Sequence, residues 1–252
     1  MNGALPLAQT VADAIIQLPA AVLALLALWV LEMISVPILR WIWGEQAERT
    51  GIVLGVLLQF AAVIAVLATT WRPTQLLATV SVVAALAWLV EFVGSQTGIP
   101  FGRYHYTNRL QPHLQGVPLL IPLAWLMMLP PAWAVGARLG SGWMGTALIA
   151  GLAFTAWDLF LDPQMVRWRF WQWEQPGGYV GIPWVNFLGW FATSVVITAI
   201  VQPTDLPVAP LLLIYTITWA LETIGQAVFW DLQTSAVVGF IGMGIFVVLA
   251  AT

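Results

Sequence analysis

The chain has 252 residues, of which 61% are hydrophobic and only 8% are charged, and its formal net charge is −3. Soluble domains carry about 25% charged residues, so the composition excludes an ordinary soluble domain. The chain has no Cys and no Lys, which excludes disulfides, thiolate chemistry, Cys-ligated metal and Lys Schiff bases. Basic residues do not cluster along the sequence, so we expect no nucleic-acid partner.

Apolar runs of about 20 residues follow one another along the chain, the length that a helix needs to cross a hydrocarbon core. Their hydrophobicity is continuous, whereas the strands of a membrane β-barrel are shorter and alternate. We therefore predict an all-α, polytopic membrane helix bundle that forms one integral membrane domain over residues 1–252. We expect residues 1–17 to be a short surface segment, and no cleaved signal peptide, because no basic region precedes the first apolar run. The eight predicted spans are 18–39, 51–70, 75–94, 117–138, 143–161, 184–201, 207–229 and 233–251.

The arginines are distributed unevenly between the two sides of this predicted bundle. The connections after spans one, three and five hold Arg40, Arg49, Arg103, Arg109, Arg167 and Arg169, whereas the alternate connections hold Arg72 and Arg138. Because Arg and Lys accumulate in cytoplasmic loops, the first set is predicted to be cytoplasmic. The two long structured loops, 95–116 and 162–183, both belong to that side.

Four spans share a pattern of an aromatic residue followed by a carboxylic acid. The pattern reads Trp29-x-x-Glu32-x-x-Ser35, Trp88-x-x-Glu91-x-x-Gly94 and Trp219-x-x-Glu222-x-x-Gly225, and span five carries Trp157-Asp158-x-x-x-Asp162. Steps of three or four residues place these side chains on one face of a helix. The four spans run in the same direction in a hairpin topology, so their acids are predicted to lie at similar depth on the side of the long loops.

A carboxylate within a membrane span is costly unless it faces the bundle interior or becomes neutral, which makes these acids functional candidates. A structural alternative remains open, in which Glu91 or Asp158 pairs with Arg103 or Arg167 at helix ends. Glu32 best fits a structural role, since its span has no long loop attached.

The two long loops repeat the same chemistry. Gly98-Ile-Pro-Phe101 in the first loop corresponds to Gly181-Ile-Pro-Trp184 in the second, and both loops combine Arg with many aromatic residues. Gly permits unusual backbone angles and Pro fixes its own, so the first loop is predicted to be a shaped lid over a site. Aromatic belts at membrane interfaces offer another explanation for part of the aromatic content.

We expect no metal and no organic cofactor. His105 and His113 lie eight positions apart in a loop, which matches no familiar metal spacing. Asp158-x-x-x-Asp162 is similar to half of the magnesium-diphosphate motif of membrane prenyltransferases, but a second such motif and its basic partners are missing.

A combination of motifs resembles one family closely. The motifs are Glu91-Phe-Val-Gly94, Thr97-Gly-Ile-Pro-Phe-Gly102-x-Tyr104-x-Tyr106, Gly116-Val-Pro118, Ile121-Pro-Leu-Ala-Trp125, Ala156-Trp-Asp158-x-x-x-Asp162-Pro and Gly181-Ile-Pro-Trp184-x-Asn186. They resemble the membrane carotenoid hydratase family, which comprises carotenoid 1',2'-hydratases of bacteria and bisanhydrobacterioruberin hydratases of haloarchaea. The resemblance covers most of the chain and is strongest over about 88–190.

The resemblance implies a hydro-lyase that adds water to the terminal C1'=C2' double bond of an acyclic carotenoid and yields a tertiary alcohol. The implied partners are water, the lipid bilayer of a prokaryotic cell membrane, other carotenoid enzymes and a lycopene-like carotenoid or bacterioruberin precursor. A protonated carboxyl would donate a proton to the alkene, and water would add to the resulting cation, in acid-base catalysis without a cofactor. We expect the long hydrocarbon to reach the site sideways from the lipid.

The candidate catalytic residues are Asp158 or Asp162 as the acid, Glu91 as the group that places or deprotonates water, and Glu222 as a second partner. The candidate substrate-binding residues are Arg103, Tyr104, Tyr106, Trp88, Trp125, Trp157, Trp184 and Asn186.

Two other functions remain open at this stage. A carotenoid end-group cyclase begins with a similar protonation, but an internal alkene rather than water then captures the cation. A membrane transporter or carotenoid-binding protein also uses intramembrane acids and aromatic residues.

Overall fold

The computed structural model describes residues 15–252, and eight helices in this part of the chain are long and apolar enough to span a membrane. They are α1 (Ala20–Trp43), α2 (Glu45–Leu67), α3 (Pro73–Thr97), α4 (Leu120–Leu139), α5 (Gly142–Arg167), α6 (Trp184–Val201), α7 (Val208–Ile224), which a π-helical turn (Gly225–Phe229) continues, and α8 (Gln233–Ala251). The predicted all-α bundle and its eight spans are confirmed. The expected surface segment falls mostly outside the described residues.

Helix α5 is longer than predicted and continues to Arg167, so the second loop begins at 168 rather than 162. Pro163 lies inside this helix and has no backbone N–H, which leaves the carbonyl of Leu159 without its helical donor. The hydroxyl of Tyr179 donates to that carbonyl at 2.8 Å. This replacement donor allows the helix to pass the proline. Helix α3 likewise ends at Thr97, so the first loop begins at 98 rather than 95.

The two long loops meet through short strands. Strand β1 (Tyr104–Tyr106) of the first loop pairs antiparallel with β4 (Trp171–Trp173) of the second, with Tyr104 opposite Trp173 and Tyr106 opposite Trp171. The first loop also contains a small hairpin of β2 (His113–Leu114) and β3 (Val117–Pro118). The strand pair confirms that both loops lie on one side of the bundle.

Helices α4 and α5 form the centre of the bundle. Helix α4 is the most buried of the eight and packs against α2, α3, α5, α7 and α8, while α5 also contacts α6 and α8. Trp125 on α4 and both Asp158 and Asp162 on α5 are almost completely buried. The acids of α5 therefore lie in the bundle interior rather than against lipid.

Candidate active site

A cavity of about 50 Å³, here called the acid cavity, lies where α2, α3, α4, α5 and α6 meet the paired loops. Glu91 on α3, Asp162 on α5 and Asn186 on α6 contribute polar groups to its wall. The volume is sufficient for a water molecule but far below the roughly 300 Å³ or more of a typical ligand pocket. The aromatic part of the wall comprises Phe101, Tyr104, Tyr106, Trp125, Phe170, Trp171, Trp173 and Trp190.

Glu91 accepts hydrogen bonds from three side chains. The hydroxyls of Tyr104 and Tyr106 donate to its Oε2 at 2.5 and 2.7 Å, and the indole nitrogen of Trp125 donates to its Oε1 at 3.3 Å. Two donors come from β1 and one from α4, so the lid loop and the bundle core hold the carboxyl together. Glu91 is 4% exposed, and this fixed set of donors replaces the water that it lacks.

Asp158 and Asp162 share one donor. The amide nitrogen of Asn186 donates to Oδ2 of Asp158 at 2.9 Å and also to Oδ2 of Asp162. Trp171 donates to Oδ1 of Asp162 at 2.9 Å, whereas Oδ1 of Asp158 is buried without a hydrogen-bond partner among residues 15–252. Because the aspartates are four residues apart on α5, one amide can bridge both.

The tyrosines at this site retain their protons. Burial, together with the neighbouring Glu91 carboxyl, raises the pKa of Tyr104 and of Tyr106 well above the usual range. Burial also raises the pKa of Tyr179, with a further contribution from Asp158 and Asp162. These hydroxyls therefore remain hydrogen-bond donors at neutral pH.

The structure brings together many of the residues that the sequence singled out. Glu91, Tyr104, Tyr106, Trp125, Asp162 and Asn186 line the acid cavity, and Asp158 lies directly behind the Asn186 amide. Glu222 and Trp157 line a separate, adjacent cavity of about 50 Å³, where Gln226 donates to Glu222 at 3.4 Å.

Besides Asp158, three candidates lie outside both cavities. Arg103 is exposed. Trp184 is 62% exposed and its ring contacts those of Tyr179 and Phe187. Trp88 stacks on Phe92. The proposed alternative of helix-end ion pairs is also not observed, since the two salt bridges found within residues 15–252 join Arg40 to Glu48 and Arg109 to Glu45. The site acids thus interact with neutral donors.

The sequence reasoning did not assign a role to several residues of the cavity wall. Trp171 holds Asp162, Phe101 fills the space beside Gly94 and Gly189, and Trp190 stacks on Trp125 with ring centres 4.8 Å apart. The alternating aromatics of the second loop were a usable signal for Trp171. Trp190 had no such signal, because one Trp in an apolar span does not reveal which side it faces.

Among residues 15–252, no three His, Asp or Glu side chains converge as potential ligands for a metal ion. The polar wall of the acid cavity instead consists of carboxyls, an amide and donors held by aromatic rings. Such a set suits proton transfer in an apolar space, because each carboxyl has a fixed partner and bulk water is excluded.

Comparison with known proteins identifies related sequences. A family model described as "Carotenoid biosynthesis protein" matches residues 51–246. The bisanhydrobacterioruberin hydratase of Haloarcula japonica is 37% identical over 110 residues, an alignment that spans 42% of this chain and 37% of that relative. No solved structure matches the chain significantly.

Proposed function

Because the chain belongs to the carotenoid biosynthesis protein family, we propose that it hydrates the terminal C1'=C2' double bond of an acyclic carotenoid to a tertiary alcohol. The observation that carries this proposal is the acid cavity, where Asp162 of a bridged aspartate pair and the separately held Glu91 line one small aromatic space. The partly aligned relative is a hydratase, which supports hydration as the class of reaction.

The aspartate pair is the proposed proton donor. Two carboxyls that share one buried amide nitrogen resist being ionised together, so the pair keeps a proton. Asp162 lines the cavity and delivers this proton to the less substituted alkene carbon. Asp158, which is fully buried behind it, shares the negative charge that the pair acquires.

Glu91 is the proposed base. All three of its side-chain partners are donors, an arrangement that suits a carboxyl acting as an acceptor. Protonation of the alkene produces a tertiary cation, to which the water oxygen adds while Glu91 takes a proton from that water. Return of this proton to the aspartates completes the cycle, and one water has been added. The rings of Trp125 and Trp190 stabilise the cation through their electron-rich faces.

The polyene chain is proposed to lie outside the acid cavity, which admits only the tip of a long substrate. An apolar groove of about 420 Å³, here called the α3–α6 groove, opens between these helices and is lined by residues that include Val93, Pro100 and Val196. Phe101, the next residue after Pro100, lines the acid cavity. This short segment separates lipid from the acids, so we propose that the end group passes Phe101 from the groove.

The test is expression in a host that accumulates an acyclic carotenoid, followed by mass analysis of the extracted pigments. We expect a product heavier by one water. Asp162→Asn or Glu91→Gln should lower the rate of its formation at least about 100-fold. Glu174→Gln, a change at an exposed loop acid outside the cavity, serves as the matched control and retains activity.

Other outcomes contradict this assignment. A product of unchanged mass with altered absorption would indicate an end-group cyclase. Unchanged pigment in the presence of folded protein, across several acyclic substrates, would favour a carotenoid-binding or transport role.

A further inference from the structure

A second, polar pocket lies on the loop side of the bundle, apart from the acid cavity. It has a volume of about 310 Å³, and its wall contains five of the eight arginines of the chain. These are Arg40, Arg49, Arg109, Arg167 and Arg169. They come from the end of α1, the start of α2, the first long loop, the end of α5 and the second long loop, so the cluster exists only in the folded protein. We call it the arginine pocket.

The arginine pocket has an excess of positive charge. Only two acids line it, and Glu48 lies 3.2 Å from Arg40 while Glu45 lies 3.8 Å from Arg109. Five arginines and two glutamates give the pocket a charge of +3, in a chain whose net charge is −3. Because the pairs leave the other arginines unneutralised, the pocket attracts an anion.

Arg49 provides a second, independent observation. Its Nη2 donates to Gln46 at 2.5 Å, but its Nε is buried and has no hydrogen-bond partner among residues 15–252. A buried N–H without an acceptor is costly and uncommon in a folded protein. An acceptor supplied from outside the chain would satisfy it.

We propose that the arginine pocket binds a phosphate group. Guanidinium groups match phosphate oxygens with paired hydrogen bonds, and several of them around one pocket suit a group with multiple charged oxygens. The pocket lies at the helix ends, where the phosphates of an anionic leaflet are located and basic pockets bind lipid headgroups. The same chemistry also suits a soluble phosphate. This proposal does not depend on the carotenoid reaction.

A phosphate bound in the arginine pocket would tie the first loop to the rest of the bundle. Arg109 belongs to that loop and its Nη1 donates to the carbonyl of Trp168 at 3.4 Å, at the end of α5. Trp168 also lines the pocket. A phosphate bridging Arg109 and Arg167 would therefore add a tether beside the β1–β4 pair that covers the acid cavity.

The test uses purified full-length protein in a neutral detergent, with melting temperature and equilibrium binding as readouts. The probes are short-chain phosphatidylglycerol, short-chain phosphatidylcholine, inorganic phosphate and pyrophosphate, with chloride at equal ionic strength. A gain in stability with phosphatidylglycerol alone assigns the site to a lipid headgroup. A gain with phosphate or pyrophosphate as well, or instead, assigns it to the phosphate group itself.

Two variants locate the binding. Arg49→Gln and Arg167→Gln are each expected to weaken the affinity for the effective probe about tenfold or more, because each removes a charged hydrogen-bond donor. Arg72→Gln, which removes the same charge from an exposed position on the opposite side, leaves the affinity unchanged. No response to any phosphate probe beyond that to chloride would overturn the proposal, and so would equal losses in all three variants.

Discussion

At the scale of single residues, the site depends on neutral donors that hold buried acids. Asn186 is 1% exposed, and its amide nitrogen contacts both aspartates of α5. Without that amide, Oδ2 of each aspartate would lose a buried hydrogen-bond donor. The residue therefore supports the pair, and we propose that it also keeps the pair able to share a proton.

Asn186→Ala is expected to lower the stability of the protein by about 1–3 kcal/mol, because it leaves buried acceptors without a donor. Adding Asp158→Asn should restore part of this loss, since the new amide can donate to Asp162. Melting temperatures in detergent measure both effects, with Asn108→Ala at an exposed loop position as the control. If the losses of the two single variants simply add in the double variant, the aspartates are not coupled through this amide.

The tyrosines allow a test by alkaline titration. The pKa values of Tyr104, Tyr106 and Tyr179 are raised by burial, and the chain has four tyrosines in all. The unfolded chain loses these protons near pH 10 whereas the folded one keeps them, so stability should fall as pH rises above about 10. The fourth tyrosine, Tyr215, is 1% exposed, so near-ultraviolet absorbance should show no tyrosinate before unfolding. Only Tyr104 and Tyr106 donate to Glu91, so reversible ionisation of three or more tyrosines in the folded protein would contradict these hydrogen bonds.

At the scale of elements, the apolar runs and the composition predicted all eight helices but not all of their ends. The sixth and eighth spans match α6 (Trp184–Val201) and α8 (Gln233–Ala251) to the residue. Helix α5 passes its predicted end, and the hydroxyl of Tyr179 donates to the Leu159 carbonyl, twenty positions away, in place of the N–H that Pro163 lacks. Local rules for proline cannot reveal such a distant partner, and the boundary of the second loop was wrong for that reason.

The sequence likewise predicted only part of the candidate site. Glu91, Asp162 and Asn186 could be found because they belong to short local motifs. The placement of Arg103 outside the cavity depends on a different kind of information, the pairing of Tyr104 with Trp173 in the β1–β4 ladder. Strand residues point alternately to opposite faces, so the register of two distant loops decides which side chains reach the acids.

The α3–α6 groove leads to a prediction about substrate binding. Ala192 lines this groove on α6, and Ala192→Trp would fill much of the space proposed for the polyene. We expect the KM for a long acyclic carotenoid to rise about tenfold or more, by loss of apolar contact area, while the melting temperature stays near that of the unaltered protein. Leu188→Trp, at a 67% exposed position of α6 outside the groove, is the matched control. Equal kinetics in both variants would place the polyene elsewhere.

At the scale of the whole molecule, the fold separates three environments. The acids lie among α3, α5 and α6 in the bundle interior, the apolar groove faces outward between α3 and α6, and the arginine pocket lies at the loop-side ends of α1, α2 and α5. The paired loops border both the acids and the arginines. Arg109 follows β1 in the first loop, and Arg169 comes just before β4 in the second. One pair of loops thus covers the acid cavity on one flank and contributes arginines to the arginine pocket on the other.

This arrangement gives the orientation of the protein a direct test. Positive charge accumulates on the cytoplasmic side of a membrane, so the loop side that holds the arginine pocket is expected to be cytoplasmic. The chain has no Cys, which allows single cysteines to be introduced at exposed positions on each side, Asn108→Cys in the first loop and Thr70→Cys between α2 and α3. A membrane-impermeant maleimide should label the Thr70→Cys protein in intact cells, and the Asn108→Cys protein only after lysis. Labelling in the reverse order would show that the protein has the opposite orientation, with the acid cavity near the external face. The arginine pocket would then also face outward, where an anionic inner leaflet could not supply the proposed phosphate.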